Sequence, residues 1–371
     1  MRYQIIFAIC IIFLQFFIYI FNRTLSWLYL QNTSPVCRKI LTLITYLGAN
    51  SIILLTVSRI YPMFRTSAFI LAFLLFASFV SLVCAAIYFI FRKQKFKQKL
   101  HRTLAWLYPF GLASLIGLSV YNAYTPQVIH YEITLDKPFK PLRIGMASDF
   151  HLGRLFGGKQ LDQLAEIMNE QKVDIILLPG DIMDDNIRAY VAEKMQPHLA
   201  KLRAPLGVYA TLGNHDFFGQ QQAIAKEIRK AGITVLMDQA LEVDNRFVLI
   251  GRNDDLFKAR PKTKQILAAL DKTNDKTKGK LPIFLLDHRP TEIMEHSTLP
   301  IDIQVSGHAH KGQVFPANLI TKVLYRLDYG YEKIGNGHFF VTSGYGFWGI
   351  PMRLGSQSEV FIIDVKGNEK E

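Results

Sequence analysis

Five short clusters between Asp149 and His310 place oxygen and nitrogen donors at the ends of apolar runs. They are Asp149-Phe150-His151, Gly180-Asp181-Ile182-Met183-Asp184, Gly213-Asn214-His215-Asp216, His288 within Leu286-Asp287-His288-Arg289-Pro290, and Gly307-His308-Ala309-His310. Carboxylate oxygens and neutral imidazole nitrogens suit Mn²⁺, Fe²⁺ or Zn²⁺, and a donor set free of thiolate argues against a structural zinc cage. Two ions need one shared ligand, for which a carboxylate is the natural bridge. Held roughly 3.5–4 Å apart, they can share a hydroxide and clamp both ends of an in-line displacement at phosphorus. A separate histidine must then protonate the leaving oxygen while a carboxylate holds its other nitrogen. The adjacent His215 and Asp216 are suited to that pairing.

Donors so far apart in sequence need a rigid frame to meet. Apolar runs of four to eight residues alternate with helical patterns after Pro141. Strands are predicted at Leu142–Ala147, Val173–Leu178, Gly207–Thr211, Phe247–Ile250, Ile283–Leu286, Ile301–Val305, Phe339–Thr342 and Val360–Val365. Helices are predicted at Gln160–Glu170, Ile187–Leu202 and Gln220–Ala231. The alternation implies an α/β domain. Each donor cluster follows a strand, where loops of an α/β sheet converge on a firm base. Gly180, Gly213 and Gly307 each stand directly before a candidate ligand, where a Cβ would obstruct the turn. The polar stretch Asp271–Lys280 reads as a solvated loop.

In this order the clusters DxH, GDxxD, GNHD, a single His and GHxH resemble the calcineurin-like metallophosphoesterase superfamily, over essentially all of residues 142–365. The stretch from Ser343-Gly344-Tyr345-Gly346 through Gly349-Ile350-Pro351-Met352-Arg353 is similar to a bacterial branch of phosphohydrolases anchored by or exported to membranes. The resemblance implies a four-layered αββα sandwich with two facing sheets. It further implies Asp149, His151, Asp181 and His310 on one metal and Asp181, Asn214, His288 and His308 on the other, with Asp181 bridging. His215 would be the general acid, oriented by Asp216. Some proteins of this fold have lost their metals and act as scaffolds; the complete donor set here argues against that role. Asp184 either backs the first metal site or caps the next helix. Arg353 either contacts a substrate phosphate or forms a structural ion pair. Tyr345, Phe347 and Trp348 either face bilayer or substrate, or pack. His101, His130, His198, His296 and His338 read as ordinary polar residues.

Charge divides the chain. Of its 371 residues, the first 125 hold twelve Lys or Arg and no Asp or Glu, and the rest hold 31 basic and 30 acidic residues. The net charge of +13 therefore belongs to the hydrophobic third and is a membrane-topology signal, not a nucleic-acid footprint. Four apolar runs, roughly 3–21, 40–60, 67–91 and 104–124, are each long enough to cross a hydrocarbon core of about 30 Å. A signal peptide followed by three spans is the alternative, but the first run exceeds a signal core and no small-residue cleavage site follows it.

The third loop carries Arg92, Lys93, Lys95, Lys97, Lys99 and Arg102, and the first loop Arg23, Arg38 and Lys39. The other side has only Arg2, Arg59 and Arg65. The positive-inside rule puts the richer side in the cytoplasm and the C-terminal domain outside. A bacterial inner-membrane protein with an extracytoplasmic catalytic domain is expected, and the Lys-rich loop reads as a topology signal or as a contact for anionic lipid heads. No acidic residue lies in the spans, which argues against ion-coupled transport. Cys10, Cys37 and Cys84 all lie in this third, and a domain of the remaining size needs no disulfide.

The expected organisation is a transmembrane region over 1–125, a linker over 126–141 and a catalytic domain over 142–371. The expected partners are the membrane and a phosphate-containing substrate, with a lipid-linked or envelope compound suggested by the anchoring. The alternative orientation faces the cytoplasm and would act on a nucleotide-linked lipid intermediate.

Overall fold

The computed structural model describes residues 2–58, 63–273 and 281–368. The chain divides into two compact units, Met1–Val120 and Tyr121–Glu371.

The first unit is formed by helices α1 (Arg2–Leu28), α2 (Pro35–Val57), α3 (Phe64–Phe91) and α4 (Lys97–Tyr124), whose last turn belongs to the second unit. All four are long and apolar enough to cross a membrane. Their surface is inverted relative to a water-soluble bundle, as hydrocarbon solvent requires. Large apolar side chains such as Leu54 and Trp106 point outward. Polar ones pair inside: Gln15 and Asn50 exchange hydrogen bonds of 2.8 and 3.2 Å, and Ser81 meets Tyr108 at 3.3 Å. The helices are longer than the apolar runs that mark them. Helix α2 starts at Pro35, where the Ser34 hydroxyl accepts the Cys37 N–H at 3.2 Å, and α4 starts within the Lys-rich loop. The expected end of the second run at residues 59–60 lies outside the described residues.

In the second unit, one six-stranded sheet contains β1 (Gln127–Leu135), β2 (Leu142–Met146), β3 (Ile175–Pro179), β4 (Val208–Thr211), β5 (Thr234–Val235) and β12 (Glu359–Gly367). Its order is β1-β12-β2-β3-β4-β5, parallel except where β12 meets β2. The other contains β6 (Gln239–Val243), β7 (Phe247–Gly251), β8 (Ile283–Leu286), β9 (Ile303–Ser306), β10 (Gly330–Ile334) and β11 (Gly337–Val341), in the order β10-β11-β9-β8-β7-β6.

Side-chain alternation explains why these strands read as unbroken apolar runs: both faces are buried. In β3, Ile175 and Leu177 enter the layer between the sheets, while Ile176 and Leu178 face helices α5 (Gly158–Glu170) and α8 (Gln221–Lys230). In β8, Phe284 and Leu286 join that same central layer, and Leu285 packs toward α9 (Thr263–Thr273). Helix, sheet, sheet and helix thus form the four layers.

Two expectations change. The stretch 126–141 is not all linker, because Gln127–Leu135 pairs along its whole length with β12. Only the proline-marked residues beyond it connect. The helix expected over 187–202 is broken into α6 (Arg188–Ala192) and α7 (Gln196–Leu199). Lys194 adopts φ 52°, and Pro197 sits in the first turn of α7, where its missing N–H is tolerated. Of the expected loop 271–280, residues 271–273 close α9 and 274–280 lie outside the described residues.

The ring of Phe284 stacks on Phe247 at 4.5 Å between the sheets. Phe284→Ala is expected to lower stability by about 3–5 kcal/mol, read as a drop in the thermal midpoint of the full chain. An unchanged midpoint would show that the central layer does not hold the unit together.

Candidate metal centre

Five parallel strands from the two sheets end at one edge, and the donors follow them. Asp149 and His151 come after β2, Asp181 after β3, Asn214 after β4, His288 after β8, and His308 and His310 after β9. Among the donor groups that form at this edge are one of Asp149, His151 and His310 and one of Asp181, His288 and His308, with His215 also close to His151 and Asp181. In the first, His151 Nε2 and His310 Nε2 lie 3.1 Å apart, with Asp149 Oδ1 3.4 Å from His310. In the second, His288 Nε2 lies 3.2 Å from Asn214 Oδ1 and 3.2 Å from Asp181 Oδ2. That same Asp181 oxygen is 3.8 Å from His151 Nε2, so it faces both groups.

Packing leaves these side chains little freedom. Asp181 Oδ1 accepts the His215 N–H at 2.8 Å, and both Asp149 oxygens accept the His308 N–H at 3.0 and 3.2 Å. His288 Nδ1 is 2.8 Å from the Pro179 carbonyl, to which its N–H donates, leaving Nε2 turned to the site. The glycines are explained mostly by space. A Cβ on Gly213 would stand 2.1 Å from Asp181 Oδ1, and one on Gly307 2.1 Å from Asp149 Oδ2; only Gly180 also needs its φ of +91°.

Backbone conformation gives a signal that residue types do not. Asp149, His151, Asp181, His308 and His310 all have φ between 47° and 70°, the left-handed region that costs a side chain of this kind on the order of 1–3 kcal/mol. Five strained candidate positions in one place are what a constellation held for its chemistry would show.

Electrostatics agrees with a place for cations. Asp149 and Asp181 are fully buried, and among the described residues no Lys or Arg forms an ion pair with either. Burial, with some help from Asp181, pushes Asp149 up to about 6. Burial also acts to raise Asp181, but the contact with His288 outweighs it and holds that carboxyl well below its usual range. His288 is correspondingly driven to about 10 by Asp181 against the opposing effect of burial. Burial lowers His151 and His308 to about 3 and takes His310 well below its ordinary value, so these rings are neutral and their nitrogens can ligate. His151 Nδ1 is buried with no hydrogen-bond partner among the described residues. Buried carboxylates with no Lys or Arg ion pair among the described residues, facing three neutral imidazoles and a His288 whose proton a bound cation would displace, fit a pair of divalent ions.

The seven expected metal ligands therefore come together. The expected partner of His215 does not. Asp216 is buried and accepts the N–H groups of Gly213, Ile182 and Met183 at 2.9, 3.1 and 3.0 Å, tying two donor loops to each other. Burial and the charge of Asp181 still raise its carboxyl to about 7. Asp185 holds His215 instead, its Oδ1 lying 2.5 Å from Nδ1. Burial would lower His215, and the bond to Asp185 more than reverses this. Residues adjacent in sequence point different ways from a tight turn, a distinction that the letters GNHD cannot carry.

Arg353 is also corrected. Fully buried, it donates to the carbonyls of Ser343 at 2.7 Å and Gly346 at 2.6 Å and to the Ser356 hydroxyl at 3.2 Å, and lies 3.3 Å from His310 Nδ1. Its guanidinium is turned to backbone carbonyls and forms no ion pair among the described residues, so it braces the loop behind His310. Asp184 caps no helix, since Ile187 holds that position before α6; it lies 3.9 Å from His151 Nδ1. Tyr345 and Phe347 pack in the core, and Trp348 is exposed with its ring 5.9 Å from His215. His296 is buried against Thr263 and Gln304 at 2.7 and 2.8 Å. Beyond the sequence reading, Asp287 anchors the His288 loop through Arg252 at 3.1 Å and Arg260 at 2.8 Å.

Comparison with known proteins agrees with this architecture. The family model described as calcineurin-like phosphoesterase matches residues 142–312. An uncharacterized metallophosphoesterase of Aquifex aeolicus is 31% identical over 268 residues, covering 69% of this chain and 98% of that one. One of Helicobacter pylori is 30% identical over 240 residues, 64% of this chain and 63% of its own. A transmembrane protein with metallophosphoesterase domain from Danio rerio is 27% identical over 277 residues, 71% of this chain and 63% of that protein. The chain belongs to the calcineurin-like metallophosphoesterases. It spans less than two thirds of the length of the latter two relatives.

Asp216→Ala leaves three buried N–H groups unsatisfied and is expected to destabilise by about 1–3 kcal/mol for each one not rescued by water. Asp185→Ala, at a half-exposed carboxylate, is expected to leave the unfolding free energy within about 0.5 kcal/mol of the parent. Equal loss of stability in the two variants would contradict the roles assigned to them.

Proposed function

We propose that the protein is a membrane-anchored, metal-dependent phosphohydrolase that cleaves a phosphoester or pyrophosphate bond. The observation carrying this reading is Asp181 Oδ2, which faces His151 of one donor group and His288 of the other. Asp149, His151, Asp181 and His310 would hold one divalent ion, and Asp181, Asn214, His288 and His308 a second, with Mn²⁺, Fe²⁺ or Zn²⁺ matching the donors. Such a pair, when bound, supplies Lewis acidity toward phosphoryl oxygens and lowers the pKa of coordinated water.

The chain's own groups supply the proton. With Nδ1 held by Asp185, the His215 ring presents Nε2 and its proton toward the site. Burial opposes protonation of His215 but the bond to Asp185 and the nearby carboxylates raise its proton affinity, and its Nε2–H is donated to the departing ester oxygen. Asp216 fixes the turn that carries His215, and Arg353 stabilises the loop that carries His310. The four apolar helices and the relatives named as transmembrane proteins support a membrane location. The nine cations of the first and third loops favour a bacterial inner membrane with the catalytic unit outside.

Asp181→Asn should abolish hydrolysis and reduce metal bound per chain, whereas His215→Asn should lower turnover by about 10²–10⁴-fold with metal content unchanged. Turnover and metal analysis of both variants distinguish the roles; full activity in Asp181→Asn would end the two-metal reading.

A reporter active only in the periplasm, fused after Glu371, should be active if the catalytic unit lies outside. A silent periplasmic reporter with an active cytoplasmic one would place it inside.

A further inference from the structure

Seven residues beyond His310, the chain forms α11 (Ala317–Leu324), and none of its eight side chains is buried. Leu319, Ile320, Val323 and Leu324 are 53%, 59%, 85% and 68% exposed. Their spacing of i, i+1, i+4 and i+5 gathers them on one face of the helix. A contiguous apolar face of this kind in water marks an interaction site, whereas scattered single residues do not.

Both ends of α11 are attached to the candidate metal centre. At its start, a Cβ on Gly312 would stand 2.2 Å from the Asn318 nitrogen, so the helix packs backbone to backbone on the turn that holds His310. At its end, the Tyr325 ring lies 6.1 Å from that of His308. Gln313, between the turn and the helix, donates to the Trp348 carbonyl at 3.0 Å and accepts the Trp348 N–H at 2.9 Å. The exposed Trp348 ring in turn lies beside His215. An apolar rim thus borders the donors.

The charge around this rim selects the occupant. Lys311 and Lys322 border the rim, while Arg326 is paired with Glu332 and the Asp328 carboxylate is engaged by the Thr321 hydroxyl at 2.7 Å. Apolar surface edged by cations matches an anionic amphiphile, and the chain's four membrane-crossing helices keep the unit beside a source of such molecules.

We propose that α11 and Trp348 form the wall for the apolar chain of an amphiphilic phosphate compound, whose phosphate group lies at the Asp149–His310 centre. The substrate class is a lipid-linked phosphate ester or pyrophosphate, and the assignment rests on the two-metal reading above. A methylene removed from water onto such a wall tightens binding by up to about fourfold.

The test uses the full chain in lipid nanodiscs loaded with Mn²⁺ and hydrolysis-inert alkylphosphonates of four to twelve carbons, below their aggregation limits. Leu319, Ile320, Val323 and Leu324 are replaced together by Gln, which keeps helix propensity and leaves no cavity at exposed sites. For the parent chain, Kd should fall by about tenfold or more from butyl to octyl. The quadruple variant should bind butylphosphonate as the parent does but lose the gain with length. Partition into the nanodisc is common to both and cancels.

Equal length dependence in parent and variant would overturn the wall. So would a parent that is a dimer, with the variant a monomer of unaltered length dependence, because a second copy would then cover the face. Failure of the centre reads differently. A parent that binds no phosphonate of any length, or an Asp181→Asn variant that binds them all as tightly as the parent, overturns the two-metal reading and the wall with it.

Discussion

Asp149 and Asp181 lie buried side by side at the meeting edge of two sheets, and the protein offers neither a Lys nor an Arg ion pair among its described residues. Carboxylates desolvated to this degree are unfavourable unless positive charge is brought to them. Here the nearest compensation within the chain is His288, whose proton affinity Asp181 raises against the effect of burial, while burial keeps three neighbouring imidazoles neutral. Much of the surrounding structure answers to this one deficit of positive charge. The backbone amides of His215 and His308 point at the carboxylates, and the glycines clear the space around them.

A second layer of charged groups holds the donors from behind. Asp216 ties the loops after β3 and β4 together, Arg353 gathers the carbonyls behind His310, and Arg252 and Arg260 fasten Asp287 next to His288. Each does so with a charged group held by several fixed partners, although Asp287 Oδ1 and Arg252 Nε have no hydrogen-bond partner among the described residues. Such support is what a constellation drawn from five separate strands requires if its atoms are to stay within coordination distance.

What sequence conveyed here was the frame and the donors. Runs such as Ile175–Leu178 announce strands because both faces are buried, and the donors stand out because Asp, Asn and His follow those runs in a recurrent order. What it withheld were directions and surfaces. His215 and Asp216 are neighbours in the chain, yet a three-residue 3-10 turn sends one into the site and the other underneath it. Arg353 looks like an anion contact by composition and is revealed as a brace only by its carbonyl partners. The edge strand β1 was read as part of a linker because it contains alternating polar residues, such as His130 and Glu132, on its exposed face. Helix α11 escaped notice for the opposite reason: its apolar residues suggest a core element, whereas the fold leaves them in the open.

The left-handed backbone at Asp149, His151, Asp181, His308 and His310 also bears on how such a chain can change over generations. Strain at these sites is tolerated while the side chains have work to do there. A descendant that no longer held ions would gain stability by putting glycine, or the more tolerant asparagine, at those same five places. The backbone would then keep the outline of a centre whose chemistry had gone.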